Sequence, residues 1–84
     1  MKPIRLSLHA AEQLASRGTT LEEIEAAIQS EEWSPAELGR LECRRDIPFG
    51  RDWNGTRYAT KQVRPIFVEE EEEIVVVTVY VYYF

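Results

Sequence analysis

Several features that define large classes of proteins are scarce or missing in this sequence of 84 residues. A single cysteine, Cys43, excludes a disulfide framework, and with only one histidine it leaves no regularly spaced set of metal ligands. The longest nearly apolar run, residues 74–84, is about half the length of a membrane-spanning helix. No glycine-rich nucleotide motif and no serine or cysteine hydrolase motif is present. We therefore expect no cofactor, no metal and no membrane partner.

Length and composition predict one domain that covers residues 1–84. Hydrophobic residues make up 44% and charged residues 30%, which is typical of a globular chain and not of a disordered one. The first residues are polar and no apolar segment follows them, so we expect no secretory signal and a cytoplasmic location. A core this small has little stability to spare, which favours docking to a second copy or to a partner.

Charge is distributed unevenly along the chain, with a net value of −5. Residues 10–39 carry seven glutamates against one arginine, and residues 69–73 are all glutamate. Residues 40–64 carry seven bases against three acids. The acidic total argues against a generic nucleic-acid binder, whereas the basic middle third keeps that function open. Basic residues on strands are also typical of a solvated sheet face.

Two short helices are predicted in the first third of the chain. Ser7 is a good N-cap, and apolar residues recur at helical spacing over residues 8–15. Gly18 ends this helix, because glycine tolerates the left-handed conformation that follows a helix. Thr20 and Glu23 have the spacing of a capping box, which predicts the start of the second helix.

From residue 41 the apolar period changes to two, which predicts strands. The first of these covers residues 41–49, and Asn54-Gly55 is a tight-turn signal that follows it. The next strand is predicted over residues 57–68. Pro65 within it indicates an edge strand or a bulge, because proline has no N–H for the ladder.

The remaining strands lie at the two ends of the chain. A brief strand is predicted over residues 4–6, before the first helix. Residues 69–73 are expected at a hairpin tip because adjacent like charges repel one another. The β-branched and aromatic residues 74–84 form the last strand. The order β-α-α-β-β-β predicts an α+β domain, with two helices packed on a small, mostly antiparallel sheet.

His9, the only histidine, lies in the first turn of the first helix. On a helix it shares a polar stripe with Gln13 and Ser16, and Arg17 lies at the edge of that stripe. This arrangement fits a general acid or base with a nearby cation. An exposed polar helix face explains the same pattern without any function.

Arg45 is in phase with the apolar residues of its strand, on the side expected to face the core. An unpaired guanidinium is costly to bury. The side chain must therefore reach the margin of the sheet, pair with a carboxylate or line an anion site. A register break at a bulge would instead turn it outward.

Lys61 and Arg64 lie on one predicted strand, and Thr78, Tyr80 and Tyr82 lie on one face of the last. If these residues converge at one end of the sheet, they make a metal-free site for phosphodiester cleavage. The cations would hold the phosphate and stabilise its developing charge. A histidine or tyrosine would transfer protons to or from the 2′-hydroxyl and the leaving oxygen.

The segment Leu6-Ser7-Leu8-His9-Ala10, followed by Arg17-Gly18-Thr19-Thr20-Leu21-Glu22-Glu23-Ile24, resembles a bacterial family pattern. The pattern is a strand, S-x-H-A, a helix, R-G-I and a second capped helix, and it ends in a strand like residues 74–80. The chain is similar in this way to the bacterial domain-of-unknown-function family 4258. That family is grouped with RelE-, ParE- and BrnT-like toxins and with colicin-type ribonucleases. Thr19 departs from the pattern, which has isoleucine at this position.

The resemblance implies a RelE-like α+β fold and either RNA cleavage or a binding role derived from a toxin. His9 and Arg17 match residues of the family pattern. Arg45, Lys61, Arg64 and Tyr80 match no sharp motif, and they are candidates from their expected placement alone.

Two functions from different classes follow as hypotheses. In the first, the protein is a toxin-like endoribonuclease that needs no metal and cleaves RNA through a 2′,3′-cyclic phosphate. In the second, the same fold is a non-catalytic interaction module. Its partner would be an antitoxin-like peptide along a sheet edge, or a second copy docked through the C-terminal strand, whose end carries three aromatic residues. A DNA-binding regulator is the weaker third hypothesis, because both helices are acidic.

Overall fold

The computed structural model describes all residues from Met1 to Phe84. Its elements, in chain order, are β1 (Ile4–Leu6), α1 (Leu8–Arg17), α2 (Leu21–Ser30), β2 (Ser34–Pro35), a 3₁₀ turn (Glu37–Gly39), β3 (Leu41–Glu42), β4 (Arg45–Trp53), β5 (Thr56–Glu69) and β6 (Ile74–Tyr83). Two helices and six strands form the predicted α+β domain. Neither helix has the length and apolarity to cross a membrane.

The sheet is mostly antiparallel, as predicted. Its strand order is β1-β6-β5-β3-β2, and β4 pairs with β5 beside β3. β1 and β6 are parallel, and the other pairs are antiparallel. The predicted order of four strands is incomplete. Residues 34–35 add a short strand, and the strand expected over residues 41–49 is divided into β3 and β4.

That division has a cause on the neighbouring strand. The register is the same on both sides of the break, since Glu42 pairs with Ile66 and Arg45 pairs with Val63. The position that faces Cys43 in this register is therefore Pro65. Proline is thus on the central strand β5. Of the two expected explanations, the edge strand is wrong, whereas a bulge does occur beside it, between Ile66 and Phe67.

The backbone of Pro65 faces β3 and β4, and not β6. Thr60 and Phe84 exchange both backbone hydrogen bonds across β5 and β6, at 2.8 and 3.0 Å. Hydrogen-bonded pairs alternate along antiparallel strands, so Pro65 directs its missing N–H towards Cys43. The ladder opens there, and a bulge follows one residue later, between Ile66 and Phe67.

The helix ends are set by the predicted capping residues. Ser7 Oγ accepts a hydrogen bond from the Ala10 N–H at 3.0 Å, and Thr20 Oγ1 accepts one from the Glu23 N–H at 3.2 Å. Gly18 ends α1 with φ +76°. The capping box is only half formed, because the Glu23 carboxylate accepts hydrogen bonds from other side chains.

Both helices pack against one face of the sheet and form the core there. The buried residues from the two helices are Ala10, Ile24, Ala27 and Ile28, and those from the strands include Val63, Phe67, Ile74, Val76 and Val79. Trp33 closes one end of this core, with its ring 5.0 Å from that of Phe67 in an edge-to-face arrangement. The other face of the sheet has no helix on it.

Helix α1 also covers the outer edge of β6 beyond the point where β1 ends. Ser7 donates from its backbone N–H to the Val76 carbonyl and from its hydroxyl to the Val77 carbonyl, at 2.9 and 3.0 Å. Gln13 Oε1 accepts a hydrogen bond from the Val79 N–H at 2.9 Å. Side chains of α1 thus replace a neighbouring strand and protect this edge from further pairing.

The opposite edge is protected differently. Along β4, residues that bond to β5 alternate with residues whose backbone groups point away from the sheet, and Pro48 is one of the latter. Because proline has no N–H, it cannot donate a hydrogen bond to an added strand at this position. A register shift between Pro48 and Arg51 bends the strand just beyond it. Strand addition is therefore hindered along β6 beyond β1 and at the middle of β4, whereas the open face of the sheet is accessible to a partner.

Candidate nucleic-acid interface on the open sheet face

A groove of about 260 Å³ lies on the open face of the sheet. The segment between β2 and β3 forms one wall, and β5 and β6 form the floor and the other wall. The lining residues are Ala36, Glu37, Leu38, Arg40, Arg64, Ile66, Thr78 and Tyr80. Leu38 and Gly39 both have positive φ, at +60° and +71°, which turns the wall back towards β3.

Arg64 occupies the floor of the groove, where it pairs with the nearly buried Glu42. Its Nε donates to Glu42 Oε2 at 3.1 Å, and its Nη2 donates to the same oxygen. The hydrogen bond from Arg64 is the main cause that lowers the pKa of the Glu42 carboxyl, against the opposing effect of burial. The same hydrogen bond raises the pKa of Arg64. Arg64 is therefore a fixed cation whose charge is largely matched within the protein.

Tyr80 lies at the rim of the groove between two guanidinium groups. The Cζ atom of Arg64 lies 5.4 Å from the centre of the ring, and that of Arg17 lies 5.8 Å from it. Both distances are within the range of cation–π contacts. The ring is still 37% exposed. Part of the side chain therefore stays open to solvent beside the two guanidinium groups.

Two of the guanidinium groups around the groove have no carboxylate partner. Six of the ten lysine and arginine side chains lie within 4.0 Å of a carboxylate, and Arg17 and Arg40 are not among them. A phosphate placed between them would meet cations that no acidic side chain already neutralises.

The acidic hairpin lies at the other end of β6 from this site. Seven residues separate Glu73 from Tyr80, a distance of about 24 Å along a strand. Charges are screened over about 8–10 Å at physiological salt. Lys2 and Arg5 also pair with this acidic segment, through Glu69 and Glu73. The net negative charge of the chain therefore does not describe the local field at the groove.

Three of the six residues proposed from the sequence come together here: Arg17, Arg64 and Tyr80. His9 does not join them. It lies eight residues before Arg17 on α1, about 12 Å along the helix axis, and its exposed side chain forms no hydrogen bond.

Lys61 lies on the other face of the sheet, under the helices. It is 4% exposed. Its Nζ donates to the Gly18 carbonyl at 3.0 Å and lies 2.8 Å from Glu23 Oε2. It ties the turn between α1 and α2 to the sheet, and the structure does not bring it to the groove.

Arg45 also faces the helix side, at the margin of the sheet. Its Nη1 lies 3.2 Å from Glu31 Oε2 and donates to Ser30 Oγ. Of the alternatives open from the sequence, two are observed together: the side chain reaches the margin of the sheet and pairs with a carboxylate. No register break turns this side chain outward, since the shift in β4 comes only after Pro48.

No sequence pattern singles out Arg40, Glu37 or Leu38. They belong to an irregular segment, and their place over the sheet depends on the pairing of β2 with β3. The one available signal is Gly39, because glycine is common where the chain reverses direction. No three His, Cys, Asp or Glu side chains lie together in a way that would hold a metal ion.

Comparison of the chain with protein-family models, with curated proteins and with solved structures gives no match. The resemblance to family 4258 therefore stays a prediction from the sequence. What the groove can do follows from its own side chains. Guanidinium groups bind anions, an exposed tyrosine ring stacks on flat groups, and hydroxyl and carboxyl groups exchange protons.

Proposed function

We propose that the groove binds the backbone of RNA and is the site at which this domain cleaves it. The observation that carries the proposal is the position of Tyr80, between the guanidinium groups of Arg17 and Arg64 at the rim of a groove that Arg40 also lines. Cations and an aromatic ring at one place are the features that RNA-binding surfaces use for phosphates and unpaired bases. The resemblance to RelE-like toxins, in fold and in function, agrees with this reading and belongs to the proposal.

Each side chain has a role in cleavage. Arg17 and Arg40 hold the phosphate and stabilise the charge that builds on it. Glu37 accepts the proton of the 2′-hydroxyl, whose oxygen forms the new bond to phosphorus. Tyr80 donates its proton to the 5′-oxygen, whose bond to phosphorus breaks. The products are a 2′,3′-cyclic phosphate and a free 5′-hydroxyl. Glu37 then releases to water the proton that it accepted, and the tyrosinate takes one up from water, so both side chains return to their starting states.

A non-catalytic module on the same face is the second candidate. The ion pair between Arg64 and Glu42 favours it, because the central cation of the groove is already matched. His9, the other group suited to proton transfer near pH 7, is outside the groove. On this reading the face binds its ligand and releases it unchanged.

One experiment separates these readings. A labelled single-stranded RNA of about ten nucleotides is titrated by fluorescence anisotropy and then analysed on a gel for products with cyclic phosphate ends. Arg40→Gln is compared with Arg57→Gln, which removes another arginine without a carboxylate partner, far along the chain on the β4–β5 hairpin. We expect Arg40→Gln alone to weaken binding and to lower the slope of log K against log salt by about 0.7.

Tyr80→Phe tests the chemistry, because it keeps the ring and removes the proton. We expect binding to persist and cleavage to stop. An RNA with a 2′-deoxy sugar at the cleaved position should bind without being cleaved. Equal losses from Arg40→Gln and Arg57→Gln would contradict the site. Binding of intact RNA by the natural protein, with no products, would favour the non-catalytic module.

A further inference from the structure

Three aromatic side chains continue from the groove along the open face of β6. Tyr80, Tyr82 and Phe84 alternate in sequence with residues that face the helices, and they are 37%, 42% and 58% exposed. Their backbone is fixed in the sheet. Tyr80 pairs with Arg64 and Tyr82 pairs with Gln62, and Phe84 exchanges two hydrogen bonds with Thr60. An ordered, solvent-facing aromatic row of this kind is unusual on a domain without a ligand.

We propose that the part of this row beyond Tyr80 is a stacking track, on which Tyr82 and Phe84 hold two consecutive unpaired bases, so that the ligand of the groove is an extended single strand. The inference rests on the proposed function and specifies its substrate. One strand of nucleic acid would lie along β6, with its first phosphate near Arg17 and Arg40 and its following bases on Tyr82 and Phe84.

The spacing of the row selects a single strand over a duplex. Alternate residues of an antiparallel strand are about 6.8 Å apart. Stacked nucleotides rise about 3.4 Å each along a strand. Neighbouring bases must therefore separate from each other to reach successive rings. Bases paired in a duplex cannot do so, whereas those of a flexible single strand can.

Polar groups beside the row suit base edges. Arg64 Nη1 donates to the Tyr82 hydroxyl at 3.2 Å, which fixes that ring beside the groove. Gln62 Nε2 donates to Asp46 at 2.8 Å, and its amide oxygen forms no hydrogen bond within the protein. Thr60 and Gln62 thus offer a hydroxyl and an amide next to the outer two rings, where exposed base edges need partners.

The electrostatic layout favours nucleic acid over a second copy of the chain on this face. Arg17 and Arg40, which have no carboxylate partner, lie at the Tyr80 end of the row, and the acidic hairpin lies about 24 Å beyond it. If a second copy docked its row against this one in the antiparallel sense, the guanidinium groups of each copy would lie near the aromatic row of the other. No carboxylate would be added to pair with these like charges. A strand with one phosphate per nucleotide matches the cations instead.

The test measures binding against length. Unlabelled ribo-oligonucleotides from a mononucleotide to about six nucleotides compete with a labelled RNA for the protein. We expect affinity to rise steeply up to about three or four nucleotides and little beyond that. A hairpin duplex with the same sequence should compete poorly.

Three variants assign the length dependence to the row. Phe84→Ala should weaken binding by about fivefold to a hundredfold for the longer oligonucleotides, and hardly at all for a mononucleotide. Tyr82→Phe keeps the ring and should bind almost as the natural protein does. Leu8→Ala removes an exposed apolar side chain from α1 and should have no effect. Circular dichroism of each variant establishes that the fold is retained.

The other outcomes overturn the track in ways that differ from failure of the proposed function. If mononucleotides bind through Arg40 but affinity does not rise with length and Phe84→Ala has no effect, the track is refuted. The groove would then remain a binding site on its own. Duplex and single strand competing equally would also refute it. If Phe84→Ala dissociates a dimer in sedimentation and leaves RNA affinity unchanged, the row is a self-association surface. If no RNA of any length binds, the proposed function itself fails.

Discussion

Substitution of Gly18 by alanine tests the contact that joins the helices to the end of the sheet. Gly18 has φ +76°, and a Cβ atom there would collide with the Tyr83 hydroxyl and lie 2.6 Å from the Trp53 ring. These groups have little freedom to move. The Tyr83 hydroxyl donates to the Arg17 carbonyl at 2.8 Å, and the Tyr83 and Trp53 rings are stacked with centres 4.9 Å apart.

The expected loss has two parts. The left-handed backbone strains any residue with a Cβ by about 1–2 kcal/mol. Relief of the collision requires the rings to shift, which gives up a hydrogen bond of about 1 kcal/mol and a stacking contact of about 1 kcal/mol. We therefore expect Gly18→Ala to lower the free energy of unfolding by about 3–4 kcal/mol. For a domain of this size a loss of about 3 kcal/mol lowers Tm by about 12–24 °C.

Gly39→Ala is the matched control. Gly39 has φ +71°, and a Cβ atom there meets nothing within 4 Å. It should lose only the strain, about 1–2 kcal/mol. Urea unfolding followed by tryptophan fluorescence gives both values under the same conditions. If the two variants lose the same stability, a Cβ atom at position 18 does not collide with the aromatic rings, and Tyr83 and Trp53 do not pack against Gly18.

Two further predictions concern ion pairs on opposite faces of the sheet. Lys61→Met removes the partner of Glu23, and we expect it to lower the free energy of unfolding by about 2–3 kcal/mol, with RNA affinity unchanged in anisotropy titrations. A selective loss of RNA affinity in a stable Lys61→Met protein would contradict its structural role. Glu42 has a lowered pKa in the folded protein, so its contribution is present above the ordinary value of 4.5 and is lost as pH falls through the folded value. When the free energy of unfolding is measured between neutral pH and about pH 3, it should therefore fall less steeply with decreasing pH for Glu42→Gln than for the natural protein. If both proteins lose stability equally on acidification, Arg64 does not hold this carboxylate.

Local features of the chain could be predicted from the sequence because they depend on neighbouring residues. Ser7 and Thr20 cap the helices they were expected to cap, since an N-cap needs only the next turn of the helix. Asn54 and Gly55 form the expected tight turn, with φ +51° and +85°. Glu69 ends β5, and the other four glutamates of the run form the tip of the hairpin between β5 and β6, as expected.

The candidate site could be predicted only in part, because it combines segments that are distant along the chain. Arg64 and Tyr80 share a face through the pairing of β5 with β6, which the alternation of residues could indicate. Arg40 reaches the groove through an irregular segment whose path no local pattern describes. Arg17 reaches Tyr80 because α1 lies along the edge of β6. That position depends on the hydrogen bond that Ser7 donates to the Val77 carbonyl and on the one that Gln13 accepts from the Val79 N–H.

The sequence by itself determined the helices, their ends, the hairpin turn and the α+β class, because capping, turn geometry and apolar periodicity act over a few residues. Tertiary structure alone decided which basic side chains are available to bind a ligand. Lys61 is grouped with Arg64 as a site cation from the sequence, yet it faces the helices and pairs with Glu23. Arg45, expected on the core side of its strand, does face the helices and pairs with Glu31. Each strand side chain takes one of two faces, and only the packing of the helices decides which face is covered. A cation on the covered face needs a carboxylate partner, whereas one on the open face can bind a ligand.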